Sequence, residues 1–144
     1  MKYLAVIFSL VLVGCGSDSS GDNSASLANL AGVWDFRKTT GQVVDEVYSI
    51  IEENGEMHTF DYDGDSASNG NNCYLTSEGV VLTDQGNGNF LVVNSDSESF
   101  SMQASLSGDT LTFSTTINGE TVTDSGVKTT RIESDFTPLC SELR

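Results

Sequence analysis

The 144-residue chain carries 21 acidic residues against six basic ones, a formal charge of −15, and a single histidine. That charge excludes nucleic acid as a natural partner and disfavours anionic lipid headgroups. The length suits one domain around one core.

In chain order, Met1-Lys2 opens a run, residues 3–13, that is apolar apart from Ser9. A membrane-spanning helix needs about 20 apolar residues, so this run is too short to span and has the layout of a secretory signal. Residues 12–15, Leu-Val-Gly-Cys, resemble the lipobox of bacterial lipoproteins. The resemblance implies removal of residues 1–14, a diacylglycerol thioether on Cys15, and acylation of its new amino group by a palmitate-type chain. Two or three acyl chains give stable anchoring, so membrane lipid is the expected partner. Gly16, where a retained lipoprotein of a Gram-negative cell would have Asp, implies the outer membrane of the cell envelope. Residues 16–26 are Ser, Gly, Asp and Asn with one Ala. Such a segment cannot offset the entropy of ordering, and residues 15–26 read as a lipidated tether reaching about 18 Å.

Residues 27–144 form the expected domain. Residues 27–30 suit one helical turn, and 34–38 a first strand. Asn54-Gly55 has the composition of a two-residue hairpin turn between strands at 47–53 and 56–62. Residues 85–88 separate strands at 80–83 and 90–94. Phe100, Met102, Ala104 and Leu106 then alternate with polar residues, the period of a half-buried strand. Gly108-Asp109 turns the chain into 111–117, Asn118-Gly119 turns it again, and a last strand is expected at 127–133. The fold class predicted is all-β, an antiparallel up-and-down barrel of about eight to ten strands, because closure removes exposed edges. The short connections disfavour a Greek-key sandwich.

With Cys15 lipidated, Cys73 and Cys140 are an even pair in an oxidising compartment. A disulfide between them would contribute about 4 kcal/mol on a chain-entropy basis. Free thiols, or a sparse zinc set with His58, are the competing readings.

Gly32-Val33-Trp34, a Gly-x-Trp at the start of the first strand, resembles the opening motif of lipocalins and the wider calycin barrels. The resemblance implies that Gly32 permits a close backbone approach and that Trp34 plugs the closed end. It further implies that Arg131, on the last strand, lies across that tryptophan, and that Cys140 ties the C-terminal tail to a mid-barrel strand at Cys73. It covers residues 27–140, but the chain is shorter than a standard lipocalin. A Thr-Asp-Tyr-type second motif and a long C-terminal helix are missing. The likeness is therefore to small bacterial lipocalin-like lipoproteins.

No catalytic set is apparent: His58 is alone, and no serine lies in a nucleophile elbow, so the chain reads as non-enzymatic and without a cofactor. Asp61, Asp63 and Asp65, with Gly64 among them, suggest a Ca²⁺ loop aided by Asn69 or Asn71. The EF-hand pattern fails, since Ser66 and Asn72 occupy its glycine and glutamate positions. An irregular Ca²⁺ site and a plain solvated loop are the two readings. Two functions follow. One is a lipid-anchored barrel holding a small apolar or amphipathic ligand. The other is an interaction protein, an inhibitor or envelope-assembly factor, acting through its loops. An apolar pocket of several hundred Å³ would favour the first, and a filled interior the second.

Overall fold

The structure is a computed structural model that describes residues 25–40, 43–64, 71–77 and 79–140. The expected signal, Cys15 and Asp65 lie outside these residues. A helical turn, α1 (Leu27–Leu30), leads into β1 (Gly32–Asp35). A small hairpin follows, β2 (Lys38–Thr40) and β3 (Val43–Asp45), and then β4 (Val47–Ile51), β5 (Glu56–Asp63) and β6 (Cys73–Thr76). The remaining strands are β7 (Val80–Gly86), β8 (Asn89–Val93), β9 (Ser99–Ser107), β10 (Thr110–Ile117) and β11 (Glu120–Thr129), with a 3-10 turn at Glu133–Asp135.

Eight of these strands close an antiparallel up-and-down barrel, in the wall order β1, β4, β5, β7, β8, β9, β10, β11 and back to β1. The predicted architecture is the one that forms. The extra strand, β6, continues the wall upward: Glu56 and Met57 at the lower end of β5 pair with β7, whereas Phe60–Asp63 pair with β6. Neither β6 nor the β2–β3 hairpin is predicted from the sequence. The last strand starts at Glu120 and ends at Thr129, so it begins upstream of the expected 127–133 and shares only residues 127–129 with it. Ala25, assigned to the tether, is buried against the core; a small apolar side chain fits beneath the barrel.

Strict alternation of strand direction sorts the connections into two ends. At one end are α1, residues 53–55, Asn87-Gly88 and Gly108-Asp109. At the other are strands β2 and β3, the end of β5 at Asp63, residues 95–97 and Asn118-Gly119. Asn118 and Gly119 have φ of 53° and 85°, the both-positive turn expected of Asn-Gly. Asn54-Gly55 behaves differently. Only Gly55 is left-handed (φ 92°), the Glu52 N–H donates to Glu56 O at 2.8 Å, and the loop holds three residues. Residues 95–97 repeat that pattern between Asn94 and Glu98, with Ser97 (φ 64°) in the glycine's place.

Two cores result. Inside the barrel, Leu30, Trp34, Phe36, Ile51, Leu82, Phe90, Val92, Met102, Ala104 and Leu111 pack together. Those on strands that contribute more than one, such as Phe90 and Val92 or Met102 and Ala104, stand two residues apart, as inward-facing side chains must. Outside it, Val33, Tyr48, Ile50, Phe60 and Tyr74 form a second cluster on the outer face of β1, β4, β5 and β6, closed over by Phe136 from the C-terminal strap. Among the described residues no helix is long and apolar enough to cross a membrane.

Candidate functional site

At the α1 end, Trp34 is 1% exposed, and its Nε1 donates to Leu30 O at 2.7 Å. The cation beside it is Lys128, not Arg131. Lys128 Nζ lies 5.3 Å from the indole centroid and donates to Ala31 O at 3.2 Å. Register explains the difference: Trp34 is paired directly with Lys128, and β11 ends before Arg131 is reached. Gly32 (φ 135°) does allow a close approach, since a Cβ there would sit 3.0 Å from Lys128 Cε.

Arg131 instead belongs to the outer cluster. Its guanidinium lies 4.7 Å from the Tyr48 ring centroid and 5.7 Å from that of Phe136. Its Nη1 donates to the Tyr74 hydroxyl at 3.3 Å, and this bond is the main reason its pKa is raised. Phe136 stacks on Phe60 at 4.7 Å and packs obliquely on Tyr48 at 5.0 Å. The strap finishes as a parallel bridge between Leu139 and Tyr74, and Cys140 forms a disulfide with Cys73 across 67 residues. The two sulfurs are bonded to each other, which replaces the free-thiol and zinc readings.

The acidic cluster is placed differently from its expected loop. Asp61 and Asp63 stand two apart on β5, on the face that carries Met57 and Thr59 lower down. Asp63 accepts a bond from Asn71 Nδ2 at 2.6 Å. The Asp61 carboxyl is pushed up by partial burial, then by the nearby carboxylates of Asp45 and Asp63. Asp63 also approaches Cys73 and Cys140, but a disulfide offers no thiolate to a metal. His58, on the opposite face of β5, is exposed and packs over Gly79.

The interior at the far end is stoppered. The Phe36 ring stacks on Phe113 at 5.8 Å and lies so close over Gly126 that a Cβ there would come within 2.9 Å of it. Lys38 Nζ bridges to Asp124 Oδ2 at 2.9 Å, tying β2 to β11.

A feature with no signal in the sequence lies in the wall. The β9–β10 ladder runs from Ser107↔Thr110 to Gln103↔Ser114 and stops there. Beyond that point Ser99–Met102 pair only with β8, and Thr115–Ile117 only with β11. An open slot of about 420 Å³ lies along the divergence, lined by Asn89, Phe100, Ser101, Gln103, Thr115 and Thr116 among others. The Thr115 hydroxyl donates to Ser101 O at 3.0 Å, where a backbone N–H would stand in a continuous sheet. Register creates this slot, and periodicity does not reveal register. Compared with known proteins, the chain matches no family, no curated protein and no solved structure.

Proposed function

We propose that this chain is a lipid-anchored envelope protein of the small lipocalin-like kind, held in the outer membrane through Cys15, whose barrel is a non-catalytic recognition module. The observation that carries the choice of module over ligand carrier is the filled interior. Trp34, Phe36, Leu82, Phe90 and Leu111 occupy the space that a ligand would take in a hollow barrel. Recognition then falls to the wall and to the end away from α1. The buried Trp34 above Leu30 and the disulfide-tied strap support the lipocalin-like reading. Described chain enters the barrel at the α1 end, so a short tether from Cys15 turns the opposite end, with its hairpins, outward from the lipid.

Two measurements test this. Metabolic labelling with a palmitate analogue should mark the wild-type protein and not Cys15→Ser; equal labelling of both would end the anchoring reading. Titration with a fluorescent fatty acid should give no saturable one-to-one binding. Stoichiometric binding tighter than about 1 μM, some 8 kcal/mol, would reinstate the ligand-carrying barrel.

A further inference from the structure

We infer, resting on the recognition reading above, that the slot at the end of the β9–β10 ladder binds a neutral saccharide. The ladder stops at Gln103↔Ser114, and just beyond it the Thr115 hydroxyl donates to the Ser101 carbonyl at 3.0 Å. That bond closes the wall to an added strand. What is left is a recess of about 420 Å³, the size of a small-molecule site and not of a docked chain.

The lining decides the chemistry. Register places Asn89, Gln103 and Ser114 in one row across three strands, and Thr116 beside Thr121 a step further on. The side chains of Gln103, Ser114, Thr116 and Thr121 make no hydrogen bond among the described residues. Their amide and hydroxyl groups both donate and accept, which matches the hydroxyls of a sugar. No charged residue lines the recess, in a chain that holds 21 acidic ones. An anion would meet no cation there and a net charge of −15, and a cation would find no carboxylate.

Phe100 adds the apolar half of the site. It shares the inward face with Met102, yet it is 48% exposed where Met102 is 9% exposed. The ring is bared toward the recess because β10 no longer pairs with β9 at its level. A sugar ring carries C–H groups on its faces and hydroxyls around its edge. Stacked on the electron-rich face of Phe100, it would bury the first and turn the second to Gln103 and Ser114. A free ion has no apolar face to place there, and an acyl chain would leave the hydroxyls and amides unpaired.

The test titrates the full chain, ¹⁵N-labelled, with cellobiose and with N,N′-diacetylchitobiose, both neutral disaccharides. With a Kd of about 1 mM, the amides of Ser101, Gln103 and Thr116 should shift saturably with at least one sugar. Phe100→Ala should weaken that binding about tenfold and Gln103→Ala about fivefold. Gln103 is exposed, so its variant reads binding even if Phe100→Ala disturbs the fold. Glucuronate and glucosamine should shift the same amides less than glucose at equal concentration. Absence of saturable shifts with both disaccharides overturns the inference. So do shifts that survive the Gln103 substitution unchanged, or equal shifts by charged and neutral sugars. None of these outcomes alters Cys15 labelling or the fatty-acid titration, so failure here is distinct from failure of the earlier proposal.

Discussion

The β4–β5 side of the wall and the β9–β10 side meet the same barrel interior, yet they are built on different plans. In β4 every residue from Tyr48 to Ile51 is buried, because Tyr48 and Ile50 face the strap while Ser49 and Ile51 face inward. Even Ser49 is satisfied there, sharing a hydrogen bond with Thr59 at 3.3 Å. In β9 burial falls on Met102 and Ala104, and the alternate residues Ser101, Gln103 and Ser105 are exposed. One side therefore has a second cover, and the other keeps its outer face exposed. The lesson is that the C-terminal strap divides the molecule into a braced half and an accessible half.

The largest effect should come from the core that both halves share. Trp34→Ala removes the largest fully buried side chain and should cost about 3–5 kcal/mol by chemical denaturation. Trp34 is the only tryptophan, so its emission in the folded protein should be blue and should shift red on unfolding. A solvent-exposed emission maximum from native protein would contradict the packing. Next is the disulfide. Cys73→Ser should lower stability by about 4 kcal/mol on the chain-entropy basis for its long loop. Denatured wild-type protein should show no titratable thiol from this pair before reduction.

Phe136→Ala sharpens the comparison most directly. It should cost about 3 kcal/mol, as a large aromatic truncation does, and should loosen Tyr48 and Tyr74. Tryptophan emission should stay native-like, because Trp34 belongs to the other core. Loss of both signals together would mean that the two cores are one cooperative structure.

Smaller effects sit at the rim. In the folded protein the Asp61 pKa lies above its ordinary 3.8, chiefly through burial and then through Asp45 and Asp63. An acid whose folded pKa is raised binds its proton more tightly when folded. The penalty is absent below the unfolded value and grows as pH rises through the folded one. Asp61→Asn should therefore raise Tm slightly at pH 7 and leave it unchanged near pH 3. The same melts test the calcium proposal. Ion binding to the folded form alone would add about 2.7 kcal/mol at a hundred times Kd. A shift specific to Ca²⁺ over Mg²⁺ and lost in Asp61→Asn would support it; equal shifts would signify only screening of an acidic surface. Last, Ser97→Gly should stabilise by up to about 1 kcal/mol, since Ser97 occupies the left-handed position that Gly55 fills in the matching loop.

The sequence was legible where one face meets water. Residues 100–107 alternate cleanly, and the strand lies there; Asn118-Gly119 carries its turn chemistry on its face. The outer cluster was hidden because its aromatic residues, Tyr48, Phe60, Tyr74 and Phe136, come one each from four elements and mark no local period. The first half of β11, Glu120–Asp124, reads as polar because this part of the hairpin stands beyond the β9 ladder and is largely solvated. Lys128 rather than Arg131 beside Trp34 is a matter of register by a few residues. Pairing decides that, and composition does not. The Asp61–Asp63 pair was visible as a cluster, and the expected strand at 56–62 already took in Asp61; its extension to Asp63 was not legible, since aspartate is a poor strand former.

The covalent ring closed by Cys73 and Cys140 encloses β7 to β11, five of the eight barrel strands. It also contains exposed hairpin tips, at Asn87 and at residues 95–97, 108–109 and 118–119. These tips are where a protease would cut. A cut at any one of them leaves both fragments joined through sulfur, so the clipped protein keeps its mass until it is reduced. Only cleavage outside the ring, such as at residues 53–55, frees a piece. The most accessible loops can thus be nicked while the barrel remains one molecule.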